Sequence, residues 1–372
     1  MTDEFLTPVS GELREFAAEL DLFSIGSNLS FDTEVSENAL VILGVSMHNS
    51  IEDSAQTDQI RKELYRLKKG NWHLEMFDLG DLYPGATAED TYFAFQKIQD
   101  ELLKKKCVII IIGDDPALAY SQFRAFDQNS HQVNLSCIDN QFRLGNDAEE
   151  LSAYNYLSKI ITSEPHTLFD YTHLGHQTYF VAQEELDLME ELNFEVKRLG
   201  LLTAEIEESE PELRNSDMVV VNLNSIQCSD FQSCTELSPN GFNAREICSL
   251  SRYAGINNKV QSFGVYSFKA KNILSDNLLV AEILWYFIEG KNHAAEKFEF
   301  EDGNYETYHV QIPEQDLVFH RDIASDQWWL ELDDFTESDI SHRMIPCSYK
   351  DYQDSLKGKI PHRWWKAYKK LY

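Results

Sequence analysis

Eight apolar runs recur along the chain with amphipathic stretches between them, and this alternation leaves few folds open. The runs cover residues 40–46, 73–79, 107–112, 133–138, 168–174, 194–199, 218–223 and 260–268, the weakest being 168–174. Segments over 88–105, 149–161, 182–192, 244–253 and 276–289 carry apolar residues at helical spacing. The runs show little polar alternation, so each strand needs cover on both faces, and the intervening helices supply it. The expected fold class is therefore α/β, a three-layer α/β/α domain with a mainly parallel sheet. At 372 residues and 43% hydrophobic content the chain can bury a core of that size.

In such a sheet the ligand crevice lies outside the carboxyl ends of the strands. That rule selects three polar clusters: Gly113-Asp114-Asp115, Asp139-Asn140-Gln141-Phe142-Arg143, and the stretch from Asn222 to Gln227. All three should converge on one edge. From about residue 292 the alternation stops, and short strands are expected over 305–312, 316–320 and 327–332, followed by a helical tail over 348–372 broken at Pro361. The expected organisation is an N-terminal segment (1–37), the α/β/α domain (38–291) and a C-terminal appendage (292–372).

The net charge of -31, from 63 acidic and 32 basic residues, argues against general nucleic-acid binding, which needs clustered Lys and Arg. Its distribution is uneven. Residues 296–339 carry a net -12, whereas 348–372 carry +5, which implies either self-docking of the tail or an anionic partner. Two tryptophan pairs, Trp328-Trp329 and Trp364-Trp365, lie in the appendage. Neighbouring residues point to different sides of a strand or helix, so one Trp of each pair is expected to pack inward and the other to be exposed. Trp364, Trp365 and Arg363 form the expected contact for a protein partner. The opening residues lack a basic start and an apolar run, and no uncharged apolar stretch is long enough to span a bilayer, so a cytoplasmic protein without a transmembrane segment is expected. Cys107 and Cys137, in or beside apolar runs, are expected to be buried reduced thiols, and Cys228, Cys234, Cys248 and Cys347 show no CxxC spacing.

The order of the three clusters resembles the ureohydrolase superfamily, which includes arginase, agmatinase and formimidoylglutamase, over residues 38 to 290. The family signatures Gly-Gly-Asp-His, Asp-Ala-His-x-Asp, Asp-x-Asp-x-x-Asp-Pro and Gly-Gly-Leu-x-x-Arg-Glu correspond here to Ile112-Gly113-Asp114-Asp115, Asp139-Asn140-Gln141-Phe142-Arg143, Asn222-Leu223-Asn224-Ser225-Ile226-Gln227-Cys228 and Asn240-Gly241-Phe242-Asn243-Ala244-Arg245-Glu246. The resemblance implies a two-manganese hydrolase held by two histidines and four aspartates. At those six positions this chain has Asp115, Asp139, Gln141, Arg143, Asn222 and Asn224. Two divalent cations need about four carboxylates to balance them, and only Asp115 and Asp139 remain, with Arg143 adding a positive charge. Arg143 is expected to bridge Asp139 or Asp115 through bidentate hydrogen bonds in place of metal.

Glu246 matches the glutamate that binds the amidine or guanidinium in the resembling enzymes, and Asn243 with Glu246 equally fits a helix capping box. His173 and His176, near a strand end, fit either a general base or hydrogen-bonded structural residues. Three functions follow. The leading expectation is a non-catalytic binding or scaffold protein that has lost the dimanganese centre, with no cofactor. The alternatives are an active hydrolase of linear amidines, which would require manganese, and a sensor that holds a guanidino or amidino ligand on Glu246. The resemblance also implies a homo-oligomer.

Overall fold

Each apolar run becomes a strand of one sheet, and the computed structural model describes residues 3–47, 51–128, 132–269, 271–294, 305–313, 315–332 and 344–371. The acidic segment expected over 296–339 therefore lies partly outside the described residues. The sheet comprises β1 (Leu6–Thr7), β2 (Leu29–Ser30), β3 (Leu40–Val45), β4 (Met76–Leu82), β5 (Val108–Gly113), β6 (Val133–Ile138), β7 (Leu168–His176), β8 (Glu195–Arg198), β9 (Met218–Asn222) and β10 (Ser262–Tyr266). Its order is β1-β4-β3-β5-β10-β9-β6-β7-β8, with β2 also on β4, and only the β1–β4 pairing is antiparallel. The order places β5, β10, β9 and β6 side by side at the centre, so the polar residues that follow β5, β6 and β9 share one edge.

Alternate residues of the central strands feed two cores. Ile42, Ile110, Val219, Val221 and Phe263 face one layer, with α1 (Gly11–Glu19), α2 (Ile51–Arg66), α9 (Ala244–Ile256) and α10 (Leu274–Asn292). Leu43, Ile109, Ile111 and Val220 face the other, with α3 (Ala88–Lys104), α4 (Leu118–Arg124), α5 (Tyr156–Thr162) and α6 (Gln183–Glu191). Capping boxes set two of the helix starts: Thr87 with Asp90 at α3, and Asn243 with Glu246 at α9. Helices α9 and α10 meet at glycines. A Cβ at Gly255 would sit 2.3 Å from the Phe287 carbonyl oxygen, so only glycine permits that approach.

The run expected at 73–79 forms strand three residues later, at Met76–Leu82. The shift brings Asp81 into the strand beside Asp78, and the fully buried Arg61 of α2 pairs with Asp78 at 2.9 Å and Asp81 at 2.8 Å. Apolar patterning stops before Asp81 because it cannot anticipate a buried cation. Likewise α5 begins at Tyr156 rather than 149, since the Asn155 side chain binds the Asn146 and Glu150 carbonyls and holds the preceding residues in turns. Among the described residues no helix is long and apolar enough to cross a membrane.

Beyond α10 lies a four-stranded antiparallel sheet of β11 (Tyr305–Ile312), β12 (Gln315–Asp322), β13 (Trp328–Glu331) and β14 (Met344–Cys347), followed by α11 (Tyr349–Ser355) and α12 (His362–Leu371). It has its own small core of Val310, Leu317, Phe319, Trp328, Leu330 and Trp364. The basic tail docks on the chain's own acidic residues. Lys366 binds Glu195 at 3.1 Å, Lys370 pairs with Asp170, Lys350 with Glu205, and Arg363 lies 3.4 Å from Glu212. Burial alone would raise the Glu212 carboxyl, but Lys197 and Arg363 hold it down at about 2. From the other side Arg214, in α8 (Glu210–Arg214), which follows α7 (Leu199–Leu202), donates to the carbonyls of Trp328 and Cys347 at 2.9 and 3.1 Å.

The first tryptophan pair differs from the expectation of one exposed member, and the second matches it. Trp328 and Trp329 are both buried, Trp328 stacked on Tyr308 and Tyr352 and Trp329 against the Arg214 guanidinium, because the small sheet is covered on both sides. In the tail Trp364 is 5% exposed and Trp365 44%. Arg363, expected as a partner contact, is held inward by Asp351 at 2.8 Å and by the Pro346 carbonyl at 3.1 Å. Trp364→Ala is accordingly expected to cost about 3–5 kcal/mol in urea unfolding, whereas Trp365→Ala should cost less than about 1 kcal/mol.

Candidate functional site

Strand β6 ends its ladder at Ile138 and delivers Asp139, fully buried, to the carboxyl edge of the sheet. A buried carboxylate must be surrounded by donors. Arg143, four residues on, supplies two in a fork: Nε to Oδ2 at 2.8 Å and Nη2 to Oδ1 at 3.1 Å. The Asn222 amide at the end of β9 donates to Oδ2 at 2.8 Å, and the Asn140 backbone N–H to Oδ1 at 2.7 Å. Both oxygens thus accept two hydrogen bonds, which fills their capacity. Burial alone would lower the Arg143 guanidinium's pKa, but the Asp139 carboxylate beside it holds it above its ordinary value. Of the two bridges open to Arg143, the structure shows the one to Asp139.

The remaining amides are also committed. Asn222 Oδ1 accepts from the Asn224 N–H at 3.0 Å, and Asn224 Oδ1 accepts from the Thr235 hydroxyl and the Glu236 N–H, each at 3.0 Å. The Gln141 amide donates to Glu236 Oε2 at 3.0 Å, and Arg143 Nη1 lies 3.7 Å from the same oxygen. Glu236 thus joins the cluster although no motif singled it out. Its only signal in the sequence is an acid shortly after the cluster from Asn222 to Gln227. Asp115 accepts from the Ala117 N–H at 2.8 Å, and it lines a cleft of about 330 Å³ with Asp114, Arg143, Tyr154, Asn224 and Glu236.

The residues present do not fit two manganese ions. Asp139 has no lone pair left, Asn222 and Asn224 spend their oxygens on backbone and hydroxyl donors, and Arg143 occupies the carboxylate a cation would need. A guanidinium about 4 Å from a divalent ion costs about 8 kcal/mol at an effective dielectric near 20. Among the described residues no group of three or more His, Cys, Asp and Glu side chains gathers in metal-binding geometry.

The two histidines separate. His173 is buried and uses both ring nitrogens: Nδ1 meets the Tyr171 hydroxyl at 2.8 Å and Nε2 the Asp139 carbonyl oxygen at 3.0 Å. Burial and the neighbouring His176 lower its pKa to about 3, so it is a neutral brace behind Asp139 with no lone pair free for base catalysis. His176, 4% exposed, has no hydrogen-bond partner on Nδ1 among the described residues. It lines a second cleft, of about 390 Å³, with Arg198, Gln227, Asn243 and Glu246. Glu246 makes the capping box, Oε2 accepting from the Asn243 N–H at 2.9 Å. The second cleft and the Asp115 cleft share no lining residue.

No protein-family model and no curated protein sequence matches the chain. Its fold does match solved structures. Formimidoylglutamase from Bacillus subtilis aligns with a TM-score of 0.65 and 14% identity, over 73% of this chain and 93% of that one. Trypanosoma cruzi formiminoglutamase, solved with Mn2+, aligns at 0.64 and 14%, over 73% and 99%. The agmatine ureohydrolase of Thermoplasma volcanium aligns at 0.59 and 18%, over 76% and 98%. The protein has the arginase-superfamily α/β/α fold, as the sequence resemblance implied. At these identities the likeness defines the fold, and the chemistry rests on the site itself.

Two measurements follow from this geometry. Arg143→Met leaves Asp139 buried and unpaired and is expected to lose about 3–5 kcal/mol in urea unfolding at neutral pH, and Asn222→Asp, which opposes two carboxylates, should also destabilise. His173 has a folded pKa of about 3 against an ordinary 6.5, so on acidification the unfolded chain takes up that proton first. Its contribution is complete above pH 6.5 and declines as pH falls toward 3. His173→Asn is expected to flatten the slope of unfolding free energy against pH in that window.

Proposed function

We propose that this protein is a ureohydrolase-fold member that does not hold a dimanganese centre and acts as a non-catalytic binding or scaffold protein. One observation carries the reading: Asp139, the carboxylate the resemblance assigns to both the ancestral centre and this chain, is saturated by Arg143, Asn222 and a backbone N–H. An ion pair neutralises the buried charge that two metals would otherwise neutralise. The same reading includes a cytoplasmic homo-oligomer whose protein contact lies on the exposed Trp365 side of the tail.

The test is metal content together with turnover. Protein purified in manganese-containing medium is expected to carry well under one manganese per chain, and to release no urea from arginine or agmatine and no formamide from formimidoylglutamate. Two manganese ions per chain, or turnover that a chelator abolishes, would restore the hydrolase reading.

A further inference from the structure

Beneath the appendage one face of the large sheet is polar where it should be apolar. On β6, Leu135 and Cys137 enter one core, while Asn134 and Ser136 point to the opposite face. Asp170 and Thr172 of β7 lie beside them in register, and Glu195 of β8 lies beside Thr172. Two residues further on, Ile138 and Leu174 return to the apolar core. A parallel sheet covered on both faces ordinarily presents Val, Ile and Leu throughout. Here the polar patch instead lines a cavity of about 390 Å³, whose other wall is Met344 and Pro346 of β14 with Arg363, Lys366 and Lys370 of α12. The cavity shares no lining residue with the Asp115 cleft or with the cleft beside Glu246.

Hydrogen-bonding capacity is left over along this lining. The Ser136 and Ser216 hydroxyls, both buried, lie 2.6 Å apart, so one hydrogen fills that contact and the other meets no acceptor among the described residues. The buried Thr172 hydroxyl makes no hydrogen bond among the described residues. Asn134 donates to the Asn215 carbonyl at 2.8 Å, and its Oδ1 accepts nothing among them. Each lining carboxylate engages its cation through one oxygen: Asp170 Oδ1 takes Lys370, Glu195 Oε2 takes Lys366 at 3.1 Å, and Glu212 Oε1 takes Lys197 at 2.8 Å. The second oxygen of each accepts nothing among the described residues. A buried polar group left unmet costs about 1–3 kcal/mol, so a lining with several of them is arranged for a hydrogen-bonding occupant.

Charge selects the occupant. Lys370 pairs with Asp170, Lys366 with Glu195, Arg363 with Glu212 and Asp351, and Lys259 with Asp217 at 3.2 Å, so every lining cation already has its acid. An ionic ligand would have to break a pair or face a like charge beside its partner. A neutral ligand with hydroxyls breaks none: each O–H donates to an open carboxylate or amide oxygen and accepts from a hydroxyl or ammonium. Phe169, Met344 and Pro346 offer apolar contact to its C–H groups. Small-molecule sites run from about 300 to 1,000 Å³, so the volume suits one small ring. We propose that this cavity binds a neutral monosaccharide, its hydroxyls spread over Asn134, Ser136, Thr172 and the open oxygens of Asp170, Glu195 and Glu212. The proposal is independent of whether the Asp139 edge holds metal.

The full-length protein would be titrated by calorimetry with neutral hexoses and pentoses, and with the uronic acid and amino sugar of each ring that binds. At least one neutral sugar should bind saturably at a single site, and its charged counterparts at least about tenfold more weakly. Thr172→Val removes a hydroxyl that makes no hydrogen bond, so it should unfold at the parent's temperature or above and weaken binding by about fivefold or more, whereas Thr172→Ser should bind within about twofold of the parent. Ala367→Met, from the half-buried wall of α12, narrows the cavity and should abolish binding. The proposal fails if no neutral sugar binds, if a charged counterpart binds as tightly, or if Thr172→Val or Ala367→Met, folded, binds as well as the parent. Bound manganese or turnover would overturn the non-catalytic reading alone, so the two failures are distinguishable.

Discussion

One buried carboxylate organises the polar edge of this protein. Asp139 sits beyond the end of β6 with no access to water, and every element around it is arranged to supply a donor. Arg143 turns back from the following loop, Asn222 reaches across from β9, and the Asn140 N–H closes the fourth position. His173 secures the same residue from behind through its backbone carbonyl. A charge in a low-dielectric interior is tolerated only when fully paired, so these contacts are mutually dependent. The arrangement joins the ends of β6 and β9 electrostatically.

Charge of a second kind fixes the appendage. A strongly acidic chain with a basic tail has two outcomes, an external anion or its own surface, and the ion pairs of Lys350, Arg363, Lys366 and Lys370 with core acids show the second. Arg214 reinforces the junction from the opposite direction by binding carbonyls of β13 and β14. The tail thus completes the flank beside β7 and β8, and its aromatic residues are divided between the small core and solvent by the helical turn alone.

Much of this was legible in advance, and the exceptions have a common cause. Strands β5, β6, β9 and β10 fall within or close to their apolar runs because central parallel strands are buried on both faces. The gathering of the polar residues from Asp139 to Asn224 at one edge was legible because the crevice of a parallel sheet lies outside the carboxyl ends of its strands. Asp81 in β4, Trp329 in β13 and Glu236 beside Arg143 were not. Each is polar or amphipathic, and its position depends on a partner distant in the chain: Arg61, Arg214 and Gln141 respectively.

The sequence by itself determined the layering, the parallel sheet and the amide-rich composition of the crevice edge, because hydrophobic periodicity and residue type are properties of residues in order. Only the tertiary structure decided that Arg143 takes Asp139 rather than Asp115, that Arg363 faces inward, and that His176 and Glu246 share a cleft apart from the Asp139 cluster. Those outcomes depend on angles and distances between side chains that come together only on folding, over ranges where a few ångströms separate an ion pair from an open site.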